Sequence, residues 1–235
     1  MPTTDFVDAY CERTGSGLWN EPLNFVTNIA FIVAAVMALR LWRAERGLTW
    51  RNGWDLLLLV ALLFAMGLGS ALWHTFATRW SLSADTIPIM LFINVFLLAF
   101  LVRLARLRWL GTLALFALFH LFNRAVESAF PRDFLNGSIF YGPAWATLLV
   151  MTTVLAARKQ PVARDFALAT GVFSLALVLR TIDQAVCPAI PIGTHFLWHV
   201  CNAIVLYLLL AALIRTAASG PRPRPATGQA GEAPP

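Results

Sequence analysis

The chain has 235 residues, 59% of them hydrophobic and 13% charged, with a mean hydropathy of +0.69. A soluble domain carries about 25% charged residues and a disordered chain far fewer apolar ones, so both are excluded for the bulk of the sequence. The formal charge of +6 and pI near 10.0 would suggest nucleic acid in a soluble protein. Here the basic residues lie between apolar runs, so they read as topology signals and no nucleic-acid partner is expected.

In chain order, residues 1–23 form a polar, acidic segment without the basic start and apolar core of a secretory signal. Seven apolar runs follow, at about 24–43, 54–74, 85–104, 107–124, 138–157, 164–181 and 194–214. Each is long enough to cross a hydrocarbon core of about 30 Å as a helix, and none shows the alternation of a barrel strand. The expected fold is an all-α membrane protein, a seven-transmembrane helix bundle over 24–215. A Pro/Ala/Gly-rich tail from 216 is expected to be disordered. Thirteen of the 18 basic residues fall on the side of the tail and of the loops after runs one, three and five. That bias puts the N-terminus outside and the C-terminus in the cytoplasm. The short loops and Arg-rich composition point to a bacterial inner membrane. No internal repeat is visible, and the paired broken helices of many transporters are missing.

With orientation fixed by Arg and Lys alone, the other polar residues converge on the outer face. Ser70 and His74 end the second run, four residues apart and so on one helix face. Asp85 opens the third run, Asp183 ends the sixth, and His195 and His199 open the seventh, again four apart. His-x-x-x-His lets two imidazoles from one helix bind one metal, and a third His leaves a fourth position open, the pattern of a catalytic zinc site. Interfacial histidines bonded to backbone would show the same spacing; the company of Ser70 and Asp85 favours metal. The motif lacks the Glu of His-Glu-x-x-His, so the general base must come from elsewhere, and Asp85 is the best-placed carboxylate. The lone His120 reads as a bundle histidine, Cys201 as a small buried residue, and Asn202 as a residue able to orient an imidazole.

In the outer segment, Asp8, Glu12 and Glu21 lie close together. Clustered carboxylates suit a hard cation such as calcium, and equally a solvated acidic tail. Cys11 in this segment and Cys187 in the last outer loop leave room for one disulfide, which would tie the segment over the sixth and seventh helices.

The segments Tyr10-Cys11-Glu12, Glu21-Pro22-Leu23-Asn24 with Asn28, Gly69-Ser70 with His74, Asp85 with Pro88, Ile182-Asp183 with Cys187, and Thr194-His195 with Trp198-His199 occur in one order. In this the sequence resembles the alkaline ceramidase family, seven-span zinc amidases related to the adiponectin-receptor-like proteins. The resemblance implies zinc held by His74, His195 and His199, with Ser70 and Asp85 beside it. It implies calcium held by Asp8, the Tyr10 main chain, Glu12 and Glu21, and it supports a Cys11–Cys187 disulfide. The family commonly has Asp-Trp-Cys-Glu followed by Glu-Asn. Here Asp8-Ala9-Tyr10-Cys11-Glu12-Arg13-Thr14 displaces the Asp by one residue and leaves the Asn unmatched. The expected activity is zinc-dependent hydrolysis of a ceramide-like lipid amide to a sphingoid base and a fatty acid, at the periplasmic face. Membrane lipids are the surrounding partners. The rival from another class is a seven-span receptor-like or interaction protein with a structural zinc.

Overall fold

The computed structural model describes residues 6–15, 17 and 19–218; of the tail expected to be disordered from 216, residues 216–218 continue a helix that ends at Ala218, and the rest lies outside the described residues. Eight α-helices follow in order: α1 (Pro22–Thr27), α2 (Ile29–Ala44), α3 (Trp54–Phe76), α4 (Arg79–Arg103), α5 (Trp109–Ala129), α6 (Gly142–Ala157), α7 (Ala163–Val186) and α8 (His195–Ala218). A 3₁₀ turn, Ser138–Tyr141, leads into α6. α1 and α2 run on across Asn28, so the described residues contain seven candidate membrane spans, as expected from the apolar runs. The described residues form no strand beyond one isolated bridge, Phe6 to Thr78.

Helix ends differ from the hydropathy limits where polar groups satisfy the orphan amides of a first turn. α4 starts at Arg79, not near 85, because Thr78 and Ser81 form a reciprocal capping box: the Thr78 amide donates to Ser81 Oγ at 3.0 Å. α7 likewise runs to Val186, past the apolar stretch.

α3 and α8 form the centre of the bundle. α3 packs on α4 and α2, and α8 on α7 and α2; α5 is peripheral. Leu56, Leu59 and Leu63 of α3 and Leu210, Leu213 and Ile214 of α8 are shielded, whereas Leu113, Leu118 and Leu121 of α5 point outward. Lipid tails are as apolar as leucine, so burial alone gives helices no reason to associate; close backbone contact does. Gly69 supplies it, since a Cβ there would fall on the Ala84 carbonyl of α4. That approach matters for the site, because the next residues along are Ser70 and Asp85.

Cys11 and Cys187 are disulfide-bonded, with Cα atoms 5.5 Å apart, and fasten the N-terminal segment to the end of α7. Cys201 is the remaining, free cysteine. Thiol labelling of intact protein should find one reactive cysteine per chain before reduction and three after it. Cys11→Ser should lower stability in detergent by about 2–4 kcal/mol, read as a fall in Tm.

Candidate metal centre and active site

The ends of α3 and α7, the starts of α4 and α8, and the N-terminal segment meet at one end of the bundle. His74 lies within the last turn of α3, while His195 and His199 open α8 one turn apart. All three are 2% exposed, and one donor atom from each lies within 4.8 Å of the others.

Their hydrogen bonds set the tautomers. His74 Nδ1 lies 2.7 Å from the Glu21 carboxylate, which can only accept, so this nitrogen carries the proton. His199 Nδ1 lies 2.9 Å from Thr27 Oγ1, whose own proton goes to the Leu23 carbonyl at 2.7 Å; this nitrogen therefore also donates. Both Nε2 atoms then present lone pairs to each other, 3.1 Å apart. Facing lone pairs repel unless a cation lies between them. The buried His195 Nδ1 has no hydrogen-bond partner among the described residues. Three neutral imidazoles arranged in this way fit a borderline metal ion of the zinc type, with carboxylate and hydroxyl groups fixing the ring orientations.

Three supports hold the rings. Glu21 is fully buried, ion-paired with Arg13 and hydrogen-bonded to Asn24 Nδ2 at 2.9 Å as well as to His74. Asp183 is fully buried too. Its Oδ1 accepts from the amides of Thr194 (2.7 Å) and His195 (2.9 Å), and its Oδ2 from the amide of Cys11 (3.0 Å). It thereby caps α8 from another helix and draws in the N-terminal segment. Gly193 turns at φ +62° beside it; a Cβ there would strike this carboxylate and lie 2.6 Å from Cys11 Cβ. Finally, Tyr10 stacks on His195 with centroids 3.9 Å apart.

Ser70 donates a hydrogen bond to Asp85 across the α3–α4 contact. Both line a cavity with Tyr10, Tyr141, Arg180, His195 and His199. Away from this polar end the walls are Phe92, Phe96, Phe119, Met151, Phe173 and Leu209. From Asp85 to Leu97, both on its wall, α4 rises about 18 Å, enough for an extended acyl chain of about 14 carbons.

The model of the family described as Ceramidase matches residues 7–227. The chain belongs to the ceramidase family. A comparison with curated proteins gives no significant match. Membership supports hydrolysis of a lipid amide, and the cluster of three histidines is consistent with a metal-dependent ceramidase.

The contacts of two other expected sites differ from those the sequence suggested. The residues expected to hold calcium are engaged by partners within the chain. Glu12 spends its oxygens on the amides of Leu23 and Asn24, both at 2.8 Å. Glu21 spends its own on Arg13, Asn24 and His74, and Asp8 is exposed. Arg13, fully buried at its side chain, also donates to the Val7 carbonyl and lies over the Trp73 ring at 4.3 Å. A fixed guanidinium thus lies in the acidic segment, while the buried Oδ1 atoms of Asn24 and Asn28 have no hydrogen-bond partner among the described residues. Burial pushes the carboxyls of Glu12 and Glu21 above their ordinary range; the amide donors at Glu12 and the Arg13 charge at Glu21 oppose it. Asn202, for its part, turns its amide back to the Trp198 carbonyl at 2.8 Å instead of orienting an imidazole.

His120 is exposed on α5 against Phe116 and Phe119, and Cys201 is half-buried against the core. Sequence reasoning gave no role to Thr27, Arg13, Tyr141 or Arg180. Only Arg180 left a signal, as a cation inside a helical span.

Glu21→Gln, which keeps the shape but weakens the hold on His74, should lower metal affinity about 10–100-fold by elemental analysis after graded chelation. His195→Ala with His199→Ala should abolish metal retention. Calcium added to metal-replete protein should leave Tm unchanged, whereas Arg13→Gln should lower it.

Proposed function

We propose that the protein is an integral membrane zinc amidase that hydrolyses a lipid amide, ceramide or a close relative, to an amine base and a free fatty acid. One observation carries this reading: three neutral imidazoles converge beside the Ser70–Asp85 pair at the polar end of an acyl-length apolar cavity. His74, His195 and His199 would hold the ion. Zinc bound there would lower the pKa of a water to about 7 and polarise the amide carbonyl.

The chain's own groups do the rest. Asp85 accepts one proton from the attacking water and returns it to the amide nitrogen as the C–N bond breaks, so the amine leaves neutral. The Ser70 hydroxyl, held by Asp85 beforehand, turns to donate to the oxygen that gains negative charge. Glu21 and Thr27 keep the imidazoles in the ligating tautomer. The apolar walls accept the acyl chain, so the lipid reacts without being lifted into water. The segment 1–23 acts as the outer cap of a catalytic domain over 24–215. The disulfide at the site's end of the bundle suits an oxidising compartment, which supports a site facing the periplasm of a bacterial inner membrane.

The experiment is fatty-acid release from a short-chain labelled ceramide in detergent. Asp85→Asn should retain zinc and lose about 10²–10⁴ in rate. Ser70→Ala should retain zinc and lose about 10²–10³. His74→Ala should lose both zinc and activity. No release from any lipid amide by zinc-replete wild type would sink the enzyme reading and leave a receptor-like protein with a structural metal.

A further inference from the structure

We propose that Arg180 makes this cavity selective for lipid amides that carry an anionic group, a carboxylate or a phosphate, beside the scissile bond. This rests on the hydrolase reading above and names the substrate class of the same site.

Arg180 projects from α7 one turn before Asp183 and lines the cavity together with Ser70, Asp85, His195 and His199. Its guanidinium carbon lies 5.5 Å from the Tyr141 ring centroid and 5.4 Å from that of Trp198. The two rings lie 4.9 Å apart and pack against the same side of the guanidinium. The main chain is anchored as well, since its carbonyl accepts from Asn136 Nδ2 at 3.0 Å. Its guanidinium donates a hydrogen bond to the Tyr10 hydroxyl, and the Tyr141 hydroxyl and the Asp85 carboxyl also face it. Among the described residues no carboxylate forms an ion pair with it, and its buried Nε has no hydrogen-bond partner.

A permanently charged, five-donor group inside a membrane bundle is costly when its donors are unmet. The other buried guanidinium at this end, Arg13, is matched by Glu21. Asp85 does not match Arg180 in the same way: it faces the guanidinium without forming an ion pair with it. A neutral ceramide offers hydroxyls and one amide oxygen, which give the cation no ion-paired counter-charge. A carboxylate or phosphate near the amide nitrogen supplies that charge and the two acceptors that the planar fork is built to take. The acyl chain then lies along the apolar walls, and the amide falls between Arg180 and the histidines.

The test uses zinc-loaded, full-length protein in detergent and three substrates with one acyl chain: a ceramide, its phosphate monoester, and an N-acyl amino acid. Wild type should favour one of the two anionic lipids over the ceramide by about 10–100-fold in kcat/KM, mainly through KM, the usual worth of hydrogen bonds to a charged group. Which one it favours identifies the anion. In Arg180→Gln that preference should fall to about one, and Arg180→Lys should restore part of it. Wild type cleaving the ceramide at least as well as both anionic lipids would overturn the inference while keeping the hydrolase. So would an equal loss on all three substrates, in kcat alone, which marks a group acting on the amide itself. Should Arg180→Gln fail to fold, the wild-type preference decides. Should nothing be cleaved, the hydrolase reading fails separately. The thermal shift of wild type with each lipid then decides the inference, which needs greater stabilisation by an anionic lipid than by the ceramide.

Discussion

The site is organised around one buried carboxylate. Glu21 is fully shielded from solvent, and moving a charge out of water costs several kcal/mol unless partners replace the water. Its partners come from three places: Arg13 in the N-terminal segment, Asn24 in α1 and His74 in α3. Satisfying Glu21 therefore requires the segment before α1 to cross the end of the bundle. It also requires the His74 ring to present its far nitrogen inward. The same contacts that neutralise the carboxylate build the candidate metal centre.

Asp183 does the equivalent work on the opposite wall. Helix α8 begins at His195, so its first amides cannot be left to water without loosening that residue. A carboxylate from α7 takes two of them, and its second oxygen holds the backbone at Cys11, next to the disulfide. Hydrogen bond and covalent bond thus act on adjacent points of one strap. The close packing this needs explains Gly193, where no side chain fits, just as Gly69 explains how Ser70 reaches Asp85.

The bundle was legible in the sequence because the bilayer leaves little choice: a span needs about 20 apolar residues, and the seven runs are read directly. The start of α4 was not, because the Thr78–Ser81 capping box lies beyond the hydrophobic stretch. The break at Asn28 between α1 and α2 left no trace in hydropathy either. His74, His195 and His199 were legible from spacing and topology together. The partners of Glu21 were not legible, for a physical reason. Its neighbours in sequence are acidic, which suggests a shared cation, but its neighbours in space depend on the path of an irregular segment that periodicity does not encode. Arg13 supplies the positive charge that the acidic pattern called for. Thr27 was hidden because a helical threonine usually only bonds back to its own helix; it does so here and accepts from His199 as well.

The cavity divides the chemistry by polarity. Its deep part is lined mainly by phenylalanine, methionine and leucine, and its charged groups and histidines sit at the end where the N-terminal strap lies. Electrostatic contacts strengthen as the local dielectric falls, so the Glu21–His74 and Ser70–Asp85 bonds gain from the same apolar surroundings that hold a lipid chain. The strap contributes to both sides of this division. Tyr10 forms part of the cavity wall, stacks on His195 and receives the Trp73 indole N–H at 3.1 Å, while Arg13, three residues on, covers the other face of that indole region and pairs with Glu21. Residues 10–13 therefore help close the cavity, orient His195 directly and orient His74 through Glu21. A protein with these histidines but a displaced strap would keep the ligand atoms and lose their alignment.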